Sequence, residues 1–156
     1  MAKSSVTRIS SVASELPSSP SLADVNCCIQ GTCLSKASML GLFSSVEIGF
    51  DIRVDEPTRS WVKRCTLKDV AKLHETLNEK IVDESFREEL SLLACPKQPL
   101  FKRRDMMVIK GLCVDLDHYI DELLKLCQRF TAAKAKHENE SMIVESSLRE
   151  FLAAPI

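Results

Sequence analysis

Glycine is scarce, with four residues in a chain of 156. Phosphate-cradling loops of nucleotide-binding folds need several closely spaced glycines, and neither G-x-x-x-x-G-K nor G-x-G-x-x-G can be assembled. Aromatic side chains are equally few: one Trp, one Tyr and six Phe. That leaves no platform for stacking bases. Lys and Arg number 21 against 22 Asp and Glu, a formal net charge of −1. A globally basic nucleic-acid binder is excluded, no nucleic-acid partner is expected, and any anion site has to be a local patch. No stretch approaches the ~18 consecutive apolar residues of a membrane span. The opening M-A-K-S-S-V-T-R-I-S-S-V has no apolar core of signal-peptide length. These absences predict a soluble, intracellular protein that meets a membrane, if at all, from its side.

Cysteine is present without a pattern. Cys27, Cys28, Cys33, Cys65, Cys95, Cys113 and Cys127 are odd in number and include no C-x-x-C pair. They read as small buried hydrophobes in a reducing compartment. A metal site on Cys27, Cys28 and Cys33 would lack a fourth ligand. The acidic residues Asp115, Asp117, Asp121 and Glu122 read as a solvated helix face. His74 falls on an apolar helical stripe, where a half-buried, hydrogen-bonded histidine is expected. No Ser-His-Asp order and no paired-carboxylate cleft can be built, so no enzyme activity and no cofactor are expected.

What is present is an ordered alternation of periodicities. Residues 1–23 are Ser-rich, contain Pro17 and Pro20, and read as a disordered arm; residues 24–154 read as one domain. Val25, Cys27, Ile29 and Cys33 alternate with polar residues or Gly, predicting a strand over 25–34. Val46, Ile48, Phe50, Ile52 and Val54 alternate with Glu47, Gly49, Asp51 and Arg53, giving a strand with one buried face. Asp55–Thr58 is a turn punctuated by Pro57, and 59–66 is a third strand. Helices are expected over 67–82, 84–93, 106–130 and 141–153, with a polar link at 132–140. The apolar stripe of the first is Leu67, Val70 or Ala71, His74, Leu77 and Ile81. Pro96 and Pro99 interrupt the helices with a polyproline-like connector. Read as a P-x-x-P ligand for an SH3 domain, it is better explained as a spacer. The fold class is α+β, a three-stranded antiparallel sheet packed against a helical subdomain.

The segment Arg59–Ile81, R-S-W-V-K-R-C-T-L-K-D-V-A-K-L-H-E-T-L-N-E-K-I, runs a strand carrying Lys63 and Arg64 into a helix. Cationic side chains at a helix mouth are a common way to hold an anionic head group. S-W-V-K-R-C-T-L-K-D-V-A-K-L-H resembles the third strand of the PX (phox homology) domain and its motif R-R-Y-S-D-F-x-x-L-H. P-K-Q-P is similar to that family's proline-rich membrane loop, L-D-H-Y-I-D-E-L-L to its long helix, and S-S-L-R-E-F-L to its closing helix. The resemblance spans about residues 24–153. It implies a phosphoinositide-binding module of trafficking or signalling proteins, cytoplasmic and peripheral on endosomal or other intracellular membranes. The sequence also departs from the family. Its phosphate-binding arginine falls on Thr66, the neighbouring aromatic on Leu67, and the long-helix arginine on Leu112. The phosphate-binding residues implied are then Arg64 as a substitute, Lys63 beside it, and Lys97, Lys102 and Arg103 from the connector. Adjacent strand residues point to opposite faces, so only one of Lys63 and Arg64 can face a pocket. Leu100 and Phe101, beside Lys102, Arg103 and Arg104, suit shallow insertion into an anionic interface. The alternative is a PX-like scaffold that has lost lipid binding and takes a protein partner, a reading favoured by Thr66, Leu67 and Leu112.

Overall fold

The computed structural model describes residues 21–37, 45–99, 104–133 and 138–155. Strict alternation in β2 (Ser45–Asp55) buries Ile48, Phe50, Ile52 and Val54 and leaves Arg53 exposed. Strands β1 (Asn26–Ala37) and β3 (Ser60–Thr66) pair antiparallel on its two sides, so the sheet is a meander in the order β1-β2-β3. The Glu56 N–H donates to the Arg59 carbonyl at 2.9 Å and closes the turn between β2 and β3.

In β1 the alternation is broken. The register slips between Ile29 and Gly31, leaving Gln30 as the extra residue of a β-bulge. Before the bulge, Cys27 and Ile29 oppose the buried Val54 and Ile52; after it, Cys33 opposes Gly49 on the outer face. The continuous alternation expected for Cys27, Ile29 and Cys33 is thus corrected by one inserted residue, which turns Cys33 to the other side. The contact is tight: a Cβ on Gly49 would lie 2.7 Å from Cys33 Sγ.

Three of the helices begin at a capping side chain. Thr66 caps α1 (Leu67–Lys80), Asp83 caps α2 (Glu84–Leu92), and Asp105 caps α3 (Met106–Ala132) by accepting from the Met107 N–H at 2.8 Å. On α1 the buried stripe is Leu67, Val70, Leu73 and Leu77. Val70 fills the place read as Val70 or Ala71, Leu73 joins the stripe, and His74 is half-buried as expected. On α3, about 40 Å long, Ile109, Leu112, Leu116, Tyr119, Ile120, Leu123, Cys127 and Phe130 are all buried. Helix α4 (Glu138–Leu152) starts earlier than the sequence indicated. Glu140 accepts from the Val82 and Asp83 N–H groups at 3.0 and 3.3 Å, which gives this polar first turn a partner at the α1–α2 junction. Sheet and helices share one apolar core.

The two ends of the described fold meet. Leu22, assigned to the Ser-rich arm by composition, is buried in a 3-10 turn (Leu22–Asp24), and Gln128 Nε2 donates to the Leu22 and Val25 carbonyls, both at 3.0 Å. Trp61 Nε1 donates to the Leu152 carbonyl at 2.7 Å. Leu22, Val25, Leu152 and Ala154 line one cavity of about 210 Å3. Above it the Glu56 side chain, 4% exposed, is flanked by Arg59 and Arg149. Among the described residues no helix is long and apolar enough to cross a membrane.

Candidate functional site

The pleat of β3 divides the basic pair. Trp61, Lys63 and Cys65 face the helices, while Val62 and Arg64 face outward. Arg64 stands opposite Asp51 on β2, and its Nε donates to Asp51 Oδ1 at 2.9 Å. That hydrogen bond and charge raise the guanidinium's pKa further and fix it on the outer face of the sheet. Lys63, on the inner face, lines a cavity of about 290 Å3 with Lys72, Lys80, Ser147 and Phe151.

The mouth of α1 already has an anion of its own. Asp69 Oδ2 accepts from the Thr66 N–H at 2.9 Å, and Thr66 Oγ1 accepts from the Asp69 N–H at 3.3 Å. This reciprocal capping box puts a carboxylate at the positive end of the helix, where a bound phosphate would otherwise gain most. The position at which the resemblance calls for an arginine is therefore used as a cap.

Lys97 lies elsewhere. With Cys95, Pro96 and Gln98 it faces Leu67, Lys68, Ala71 and His74 across a cavity of about 320 Å3. His74 Nδ1 and the Tyr119 hydroxyl share a hydrogen bond of 2.7 Å at its base. Burial lowers the His74 pKa and, together with Cys95, raises that of Tyr119, so both side chains are neutral at pH 7. Leu67 supplies apolar wall where an aromatic ring would be needed to stack on a sugar. Leu112 is buried in the core.

The expected site residues thus separate. Lys63 and Lys97 line cavities on opposite flanks of α1, and Arg64 lies on the far side of the sheet. Lys102 and Arg103, and the pair Leu100 and Phe101, fall outside the described residues. Immediately after them the first turn of α3 exposes two methionines that the sequence reading passed over, Met106 at 60% and Met107 at 75%. Arg104 and Lys110 flank these two side chains and are themselves exposed.

Burial pushes the Cys27, Cys65 and Cys127 thiols up to about 12, which keeps them protonated and unreactive at neutral pH. The bulge sends Cys27 and Cys33 to opposite faces of β1, so these two do not share a ligand set. Among the described residues no group of three His, Cys, Asp or Glu side chains is placed to hold a metal ion. No family model matches the chain, and no curated protein matches it.

Proposed function

We propose that this chain is a peripheral, non-catalytic module that docks on anionic, phosphoinositide-containing membrane faces of the cytoplasm. In this reading it is a divergent PX-like domain that relies on its connector edge more than on a head-group pocket. The exposure of Met106 and Met107 beside Arg104 carries the reading. These side chains follow Leu100, Phe101, Lys102 and Arg103 with only Arg104 and Asp105 between, so apolar and cationic groups are concentrated within one short stretch. Lys97, Lys102, Arg103 and Arg104 at an anionic surface contribute about 1 kcal/mol each. Together they give roughly 4 kcal/mol, which is millimolar affinity. Shallow burial of apolar side chains, worth up to about 1.5–3 kcal/mol each when fully buried, brings the sum into the micromolar range.

The test is co-sedimentation with phosphatidylcholine vesicles, alone and doped with phosphatidylserine or with each phosphoinositide, at low salt. Wild type should sediment with the anionic vesicles and lose them as salt rises. Met106→Asp/Met107→Asp should weaken binding by about tenfold. Arg64→Ala should change it little, because Arg64 serves Asp51; a large loss would return the head group to Arg64.

A second reading, the protein-interaction scaffold, has its own observation. Asp69 holds the mouth of α1 and Asp51 holds Arg64, two places where a stereospecific phosphoinositide site would need open cationic groups. If wild type ignores every vesicle at low salt, this reading takes over.

A further inference from the structure

The sheet has two edges, and they are treated differently. The first half of the β1 edge meets α3: Asp117 Oδ1 accepts from the Ile29 N–H at 2.9 Å, beside the bulge at Gln30. Bulges and covering helices are ways to keep an edge from recruiting another strand. β3 forms the other edge. Among the described residues no backbone hydrogen bond reaches its outer side between Ser60 and Cys65.

Under that open edge lies the 290 Å3 cavity, with β3, α1 and α4 as its walls. Lys63, Lys72 and Lys80 face it, and none of the three is in an ion pair among the described residues. Of its two carboxylates, Asp69 is turned to the Thr66 N–H, which leaves Glu150 against three ammonium groups. Lys72 and Lys80 are eight residues apart on α1, about 12 Å along the axis. That is the length of roughly four residues of extended chain.

We propose that the β3 edge accepts an extended acidic peptide as a fourth strand, its carboxylates directed at Lys63, Lys72 and Lys80. Strand addition would satisfy the outward N–H and C=O groups of β3, and the period of two would send alternate side chains toward the helices. Three unpaired ammonium groups on that side select carboxylates for those positions. The surface is separate from the membrane edge. Lys72 and Lys80 occupy one flank of α1, whereas Lys68, Ala71 and His74, which face Lys97, occupy the other.

The probe is a fluorescein-labelled Glu-Val-Glu-Val-Glu-Val peptide, titrated with the whole chain at low salt and read by anisotropy. A Kd on the order of 100 μM is expected. Lys72→Glu/Lys80→Glu, both at exposed positions, should raise it about tenfold with an unchanged Tm, since like charges then face the peptide. N-methylation of alternate residues, tried in both registers, should abolish binding in one of them by removing the edge hydrogen bonds. Lys97→Glu should leave the peptide Kd unchanged. No saturable binding by ~1 mM peptide, equal binding by the charge-reversed variant, or full binding by both methylated peptides overturns the proposal. So does a result in which the charge reversal abolishes sedimentation with phosphatidylserine vesicles yet spares the peptide. Failure of the membrane reading alone, with vesicles ignored and peptide bound, leaves this proposal standing.

Discussion

His74 sits where a histidine has most to lose from a proton. It is half-buried beside the Tyr119 hydroxyl, and burial sets its folded pKa below the ordinary 6.5. The unfolded chain therefore takes up the proton first as pH falls. Stability contributed by the neutral ring is intact above pH 6.5 and is lost as pH drops from there toward the folded value. His74→Gln should flatten that part of the acid-side slope. Urea midpoints compared at pH 7.5 and 5.5 check this, and parallel slopes for variant and wild type would count against it. At the same scale, the half-buried place of His74 was legible in the sequence, whereas the partner of Arg64 was not. The register of Arg64 with Asp51 depends on how β2 and β3 align, and pairing across a turn is not written in either strand alone. Aligning the alternation of the two strands about the Pro57 turn is the one signal that leads to it.

At the level of elements, local chemistry settles more than long-range context. The capping residues Thr66, Asp83 and Asp105 each start a helix within a residue of where side-chain chemistry places it. Thr66→Ala removes the half of the capping box that serves the Asp69 N–H and should cost about 1 kcal/mol, visible as a lower urea midpoint. If the Thr66 position instead served ligand binding in this chain, that variant would lose vesicle or peptide binding with no change in stability. Strand and helix periods were legible because apolar side chains repeat at two or about 3.6 residues over long enough runs. The bulge at Gln30 was not, because one extra residue leaves Cys27, Ile29 and Cys33 looking continuous. The early start of α4 was hidden for a different reason: Glu140 finds its partners in the backbone at Val82 and Asp83, some 57 or 58 residues away in the chain.

For the molecule as a whole, the α+β class and the three-strand meander followed from the order of the periods, since short links leave adjacent strands few alternatives to antiparallel pairing. How the cations would be distributed could not be read that way. Their grouping depends on which flank of α1 meets β3 and α4 and which meets the connector, and that is decided by packing of the whole core. One consequence of the shared cavity at Leu22, Val25, Leu152 and Ala154 concerns connectivity. Head and tail of the fold are neighbours, so the covalent order of its parts is negotiable. A circular permutant that joins these ends by a short flexible bridge and opens the chain at the exposed Pro57–Thr58 turn should fold, melting within a few degrees of the parent. Loss of cooperative melting in that permutant would mean the β2–β3 turn must stay covalently closed. Success would make the domain a cassette, able to be spliced into a host loop with both seams at one pole.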